Sequence, residues 1–448
     1  MSSVEKATAA PDAPAASYSK PYVNYVIGIL TVVYVFNFID RQILSILMQP
    51  IKEEMQLSDT ALGFLSGIAF AIFYATLGMP IARLADRSSR VTIISISLAL
   101  WSLMTAVCGL AQNFWQLLFA RIFVAVGEAG SGPSSHSLIA DYVPLEARSS
   151  ALSIYSMGIP IGLLFGFLIG GYLEELYGWR VAFMAVGLPG VALAVIVRLT
   201  LREPLRGHAD GKPRVAGADQ VPVREVIQVL WKRKSFRHLC IGVGAQAIAG
   251  YGVVQWVPSF LHRSYQMTSS EIGLALAFII GIGGAIGAAA GGYLADHLSR
   301  RDIRWQMWVP VLGGLLSAPF AFGVYLSDTA FATLAWFVAP VILSNLYLGP
   351  IFAMTQALAP IRMRAIASAV MLFIGSFIGL GLGPQFVGIV SDLLYPYYGD
   401  ESLRYALLIV NMAVFWAAAH YWWSSKTLRH DLALENESFA LKIAMPDK

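Results

Sequence analysis

Four ionisable side chains interrupt stretches that are otherwise apolar: Asp40 and Arg41 in one stretch, Arg121 and Glu128 in another. An ionisable group at hydrocarbon depth costs ~2.5–3.5 kcal/mol on insertion scales, so its default reading is functional. Two acids and two bases cancel when all four are charged. In the first apolar stretch Asp40 and Arg41 lie beyond the midpoint, toward the outer side, and Arg121 lies at a similar height in the fourth. Glu128 is a further ~10 Å deeper on the same helix face, at ~1.5 Å of rise per residue. Asp40 can therefore pair with Arg121 at equal depth, and Arg41 can reach toward Glu128. A carboxyl in a cavity of alternating wetness has a pKa that its surroundings move up or down. That property is what proton coupling needs, namely binding a proton on one side and releasing it on the other. Two other readings stay open. The four could form a permanent ion-pair network that orders two helices, or Arg41 and Arg121 could bind a substrate headgroup, since guanidinium forks suit phosphate.

These residues must be held by membrane helices. Of 448 residues, 57% are hydrophobic and only 13% charged, with a mean hydropathy of +0.64. A water-soluble chain cannot hide that much apolar surface. Twelve segments are long enough to cross as helices: 22–48, 60–82, 91–111, 114–140, 150–174, 180–200, 237–261, 271–295, 305–327, 330–356, 365–393 and 403–424. The basic residues assign the sides. Of the 31 Lys and Arg, 24 lie in alternate loops or the tails, whereas the opposite loops hold Lys52, Arg180, Arg263 and Arg404. The positive-inside rule then puts both termini in the cytoplasm. The expected organisation is a disordered cytoplasmic tail over 1–21, a six-helix bundle over 22–201, a cytoplasmic linker over 202–236, a second bundle over 237–424 and a tail over 425–448. Residues 1–21 lack the short apolar core of a secretory signal, so the first span serves as its own insertion signal. The linker carries an amphipathic stretch, Val223 to Leu230, suited to lying along the membrane surface. Beside it Lys232-Arg233-Lys234 fits anionic headgroups better than nucleic acid.

The chain repeats itself. Ala85-Asp86 through Ser89-Arg90 after the second span matches Ala295-Asp296 through Ser299-Arg300 after the eighth, offset by 210 residues. Pro144, Arg148 and Ala151 match Pro360, Arg364 and Ala367, offset by 216. Echoes in the same order in both halves argue for duplication. Physically, Asp86 with Arg90, and Asp296 with Arg300, form a gating latch: an acid at the cytoplasmic end of a helix can accept from an arginine or a helix N-terminus across the seam.

The loop after the second span resembles the signature loop of the major facilitator superfamily, with Ala82 where that motif has glycine and Ser88-Ser89 in its tail. Gly158, Gly162, Gly166 and Gly170-Gly171, with Gly178-Trp179-Arg180 and Phe183, resemble the same family's glycine-rich fifth helix and following turn. Within it the chain looks most like the Spinster group. The carrying residues are Asn37-Phe38-Ile39-Asp40-Arg41, Arg121 with Gly127-Glu128-Ala129, Leu138-Ile139-Ala140-Asp141, Leu152-Ser153-Ile154 and Ile159-Pro160-Ile161-Gly162. The resemblance implies an all-α integral membrane fold of two pseudo-symmetric six-helix bundles. It also implies carriage of lysophospholipid- or sphingoid-like substrates.

The second half carries no charge deep in its spans. It offers Gln246, Gln255, Asn345, Gln356 and Asn411 among aromatics such as Tyr251, Trp256, Tyr347 and Phe373. With Asn37 from the first span, we expect Tyr251, Gln255, Trp256, Asn345, Tyr347 and Phe373 to line the substrate cavity. A neutral aromatic wall facing a charged one suits an amphiphile. Gly375, Gly379, Gly381 and Gly383-Pro384 mark a flexible gate in the eleventh span, and Gly283-Gly284 and Gly291-Gly292 read the same way. Cys108 and Cys240 both fall in spans and act as small apolar residues. No nucleophile elbow accompanies Ser134, Ser135 and Ser137, so His136 is a core or cavity residue and no enzyme is expected. Without a Walker sequence, ATP is not the energy source. The expectation is a proton-coupled secondary transporter in the inner membrane, monomeric, without cofactor or metal and without a nucleic-acid partner. A porter of small organic anions or drugs is the alternative, and a membrane lipid enzyme a more distant one.

Overall fold

The computed structural model describes residues 18–210, 222–360 and 363–444. Most of the expected tail over 1–21 and the middle of the linker lie outside the described residues. The protein is an integral multi-pass membrane protein of two six-helix halves. In the first half, α1 (Lys20–Met55) is one crossing, α2 (Asp59–Ser66) and α3 (Ile68–Arg87) share the next, and α4 (Arg90–Cys108) and α5 (Phe114–Tyr142) follow. The fifth and sixth crossings run through α6 (Leu145–Ser156) and α7 (Gly158–Thr200). Their turn is made at Gly178, whose φ of +80° is a backbone that a Cβ disfavours. A surface helix, α8 (Val223–Lys232), leads into the second half.

There α9 (Lys234–Tyr265) is the first crossing. The next is α10 (Ser269–Leu276), a π-helical stretch over Ala277–Ile282, and α11 (Gly283–Ser299). Then come α12 (Trp305–Leu326), and α13 (Ala330–Ser344) with α14 (Leu348–Ala357). The eleventh crossing is α15 (Arg364–Ile374), a second π-helical stretch over Gly375–Leu380, and α16 (Gly381–Tyr398). The last is α17 (Ser402–Asn411) and α18 (Ala413–Ala444), a helix that continues well beyond residue 424. Among the described residues, nine helical runs are apolar and long enough to cross a membrane. Two of these runs, Glu146–Thr200 and Ile366–Leu434, contain two crossings each, and α5 adds one more although Arg121 and Glu128 dilute its apolar character. That reconciles nine runs with twelve crossings.

The duplication extends to the helix ends. Gln56 and Gln266 end α1 and α9 in the left-handed region, with φ of 52° and 53°. Ser58 and Thr268 then cap α2 and α10; each pair is again 210 apart. Both capped helices pack across the seam, α2 on α16 and α10 on α7. Small residues permit the approach: a Cβ on Gly63 would lie 2.7 Å from the Pro384 carbonyl oxygen, and one on Gly273 would strike that of Phe167.

The start of α1 meets the end of α7 through Tyr22 and Thr200, and the start of α9 meets α18 through Ser235 and Asp431. This end of the bundle is the terminal face. Toward the opposite face one buried core crosses the seam, joining Leu47 and Phe167 to Trp256, Phe260 and Val387. Toward the terminal face the halves have distinct cores, one around Trp101 and Tyr155, which Leu380 alone enters from the second half among the buried residues described, and one around Phe236 and Tyr421. The halves are thus sealed at the opposite face and separately packed at the terminal face. The orientation expected from the charge distribution, with the terminal face inside, is open to a direct test. A membrane-impermeant thiol reagent applied outside intact cells should label a cysteine at Asp328 and miss one at Ser89 or Ser299; the reverse pattern contradicts the orientation.

Candidate functional site

The four charges do converge. Arg41 Nε donates to Glu128 Oε2 at 2.5 Å, with the Glu128 side chain fully buried and Arg41 19% exposed. The second expected pair, Asp40 with Arg121, makes no ion pair within 4.0 Å, although Arg121 and Thr105 lie close to Asp40. Asp40, Arg121 and Glu128 are all buried. Each retains a polar atom without a hydrogen bond: Asp40 Oδ1, Arg121 Nε and Nη1, and Glu128 Oε1. Such atoms carry the full desolvation penalty of an unmade bond, ~1–3 kcal/mol or more for charged groups.

Aromatic rings that the sequence reading missed hold the guanidinium groups. Arg41 lies 4.7 Å from the Tyr74 ring centroid and 5.4 Å from those of Phe38 and Phe70. Arg121 lies 5.3 Å from Phe70, which places that one ring between the two cations. Cation–π contacts of this kind gain strength when desolvated, to ~2 kcal/mol or more. The available signal was the spacing of Phe70 and Tyr74, one helical turn apart on one face.

Of the expected cavity residues, Asn37 is buried beside Glu128. Tyr251 is 38% exposed and close enough to Arg41 to feel its charge, so it faces the cluster from the second half. Phe373 is exposed and stacks on Phe377 at 5.5 Å, while Tyr347 is half-buried near Tyr251. Asn345 satisfies its amide on its own helix, donating to Val341 O at 2.8 Å. Two expectations need correction. Trp256 is fully buried and donates to Pro384 O at 2.9 Å. Five residues after Tyr251, it points ~140° away around the helix at ~100° per residue. Gln255 shares the face of Tyr251, but one turn further on it is buried where the halves meet, donating to Met48 Sδ at 3.0 Å.

Among the described residues, Arg90, Asp296 and Arg300 do not bridge the seam in this conformation. Arg90 turns into its own half, donating to Asp141, to Glu203 at 2.7 Å and to Pro204 O at 3.1 Å. The side chain of Asp86 lies outside the described residues. Asp296 is exposed and accepts from Gln306 at 3.0 Å within its own half. Arg300 is exposed and forms no ion pair among the described residues. The separate cores at the terminal face explain this, because the seam there is parted.

The charged closure lies instead at the opposite face. Asp59, the first residue of α2, takes two Arg263 nitrogens at 2.7 and 2.8 Å, Lys52 at 2.6 Å and Ser391 Oγ at 2.6 Å. Arg263 also donates from Nε to Gln49 at 2.7 Å. Asp392 of α16 accepts from the backbone N–H groups of Asp59 and Thr60 at 3.0 and 2.7 Å, capping α2 from across the seam. Glu175 of α7 does the same for α10, accepting from Ser270 N–H at 3.0 Å. An acid at a helix N-terminus meets unpaired donors and the positive end of the dipole. The seam thus has two pseudo-symmetric acid caps and one buried ion pair. The signal in the sequence was Asp59 and Asp392 standing at span ends.

Residues 30–384 match the Major Facilitator Superfamily. Over 413 residues the chain is 33% identical to an MFS-type efflux pump of Mycolicibacterium smegmatis, covering 91% of this chain and 94% of that one. It is 25% identical to human protein spinster homolog 1 over 391 residues, covering 82% of this chain and 73% of that protein. Among solved structures it is similar to a bacterial homologue of the human lysosomal transporter Spinster in an inward-facing, unoccupied conformation. The TM-score is 0.86 at 33% identity, covering 92% of this chain and 99% of the other. The same homologue, inward-facing and occupied, gives a TM-score of 0.82.

Proposed function

The chain belongs to the major facilitator superfamily, with Spinster proteins among its relatives, and from that premise we propose a proton-coupled carrier of single-chain amphiphiles working by alternating access. The observation that carries this reading is the contrast between the two walls. One bears Asp40, Arg41, Arg121 and Glu128; the other presents Tyr251, a neutral aromatic, toward them. A small sugar or dianion needs polar groups on both walls, since each buried hydroxyl left unpaired costs ~1–3 kcal/mol. An amphiphile sets its headgroup at the partly exposed Arg41, beside the buried Arg121, and lays its tail along the aromatic wall. A phosphate there competes with Asp40 and Glu128 for the guanidinium donors, which links headgroup binding to protonation of the acids.

In this account both termini are cytoplasmic, the membrane is the inner membrane of the cell, and the protein works as a monomer. The seal at Asp59 and Arg263 closes the outer side, and Asp86 and Arg300 close the inner side in the alternate state. The domain limits follow the halves, 22–201 and 237–424, joined by the linker 202–236. A second reading, export of small organic anions or drugs, is favoured by the name of the mycobacterial relative. Thermal stabilisation of purified protein by a phospho-amphiphile series separates the two. Affinity should rise about fourfold per methylene, from ~0.8 kcal/mol per buried CH₂, and Arg121→Ala should erase the headgroup preference. Affinity flat with chain length, or stronger for hydrophilic anions, supports the second reading instead.

A further inference from the structure

We propose that the elbow between α8 and α9 is a binding site for the headgroup of an anionic phospholipid of the terminal-face leaflet, separate from the transport cavity. The apolar arc of α8 is wider than the protein covers. Val226 and Leu230 are fully buried against the second half's core. On the adjoining stripe Val223, Ile227 and Trp231, spaced by four, are 44%, 42% and 46% exposed. Such a half-covered arc at a membrane surface is completed by acyl chains, and a tryptophan at its edge suits the headgroup level.

The polar side of the same elbow is a cleft of about 720 Å³ lined by Ile227, Gln228, Trp231, Lys232 and Arg237. Lys232 is exposed and Arg237 partly so, and no carboxylate among the described residues forms an ion pair with either. Arg233, between them, is used internally: it donates to Leu358 O and fixes the elbow to the end of α14. The cleft therefore has two cations without a carboxylate partner among the described residues, an amide donor in Gln228 and an apolar floor. A soluble anion would use the cations alone; a phospholipid uses both parts, and the occupant is therefore the lipid.

Native mass spectrometry of the full chain in neutral detergent tests this, with phosphatidylglycerol and phosphatidylcholine as probes. Wild type should retain phosphatidylglycerol preferentially. Lys232→Gln with Arg237→Gln should reduce that retention about 25-fold, from ~1 kcal/mol per basic side chain near an anionic surface, leaving phosphatidylcholine retention unchanged. Equal melting temperatures of variant and wild type in neutral detergent establish that the variant is folded; if it is not, Lys232→Gln alone should give about a fivefold loss by the same constant. Equal retention of the two lipids by wild type overturns the proposal, as does undiminished phosphatidylglycerol retention by a folded variant. Displacement of the lipid by millimolar glycerol phosphate also overturns it, because the site would then belong to a soluble anion.

Discussion

Replacing Glu128 with glutamine is expected to abolish uptake driven by a proton gradient while leaving substrate exchange partly intact. The amide keeps the shape of the acid and stays neutral, so the site behaves as if permanently protonated. Arg41 then loses a charge-assisted hydrogen bond, a class worth ~1.5–3 kcal/mol. It stays held by Tyr74, Phe38 and Phe70, which is why binding should survive when coupling does not. Counterflow and gradient-driven uptake in the same proteoliposomes read the two quantities separately. A variant that accumulates substrate like wild type down a pH gradient removes Glu128 from the coupling role. The permanent ion-pair reading makes the opposite forecast, with exchange and accumulation falling together because the helices lose their order.

The second large effect is expected at the opposite face. Asp59 lies beneath the surface with Arg263 and Lys52 upon it. Asp59→Asn leaves the Arg263 charge buried without its counter-charge, a kind of change that costs ~3–5 kcal/mol. Reversing a two-state preference from 1:99 to 99:1 needs ~5.5 kcal/mol, so this one change covers most of that range. The sealed conformation should lose population to one open at the opposite face. Spin labels at Ser58 and Tyr397, both exposed and on different halves, should report a longer mean distance in the variant. Native Cys108 and Cys240 are buried and add little background labelling. An unchanged distance distribution means that the glycine-lined packing of α2 on α16, and not the ion pair, holds the seal.

The architecture was legible in the sequence because bilayer thickness and basic-residue asymmetry constrain it so strongly. Twelve spans, the linker helix from Val223 and the 210-residue repeat all have counterparts in the structure. The convergence of Arg41 and Glu128 was legible too, since depth along a helix follows from residue number. What could not be read was rotation about each helix. Tyr251, Gln255 and Trp256 were grouped by sequence nearness, yet a helix turns ~100° per residue and sends Trp256 into protein. The closure at Asp59 and Arg263 escaped for a different reason. The partners lie 204 residues apart, at span ends where charge is cheap, so neither stands out. Arg90 was read as a latch because it repeats, but in this conformation its contacts with Asp141 and Glu203 are within the first half and the linker. Repetition reports ancestry; it does not report which way a side chain points.

The central claim is that substrate and protons move together through one site. Its most direct measurement is the lumenal pH of proteoliposomes after a single-chain phospho-amphiphile is added outside, with no gradient imposed. The account predicts a pH change that begins with substrate entry, scales with its amount and is absent with Glu128→Gln. Substrate entry at the wild-type rate with no movement of protons would contradict it.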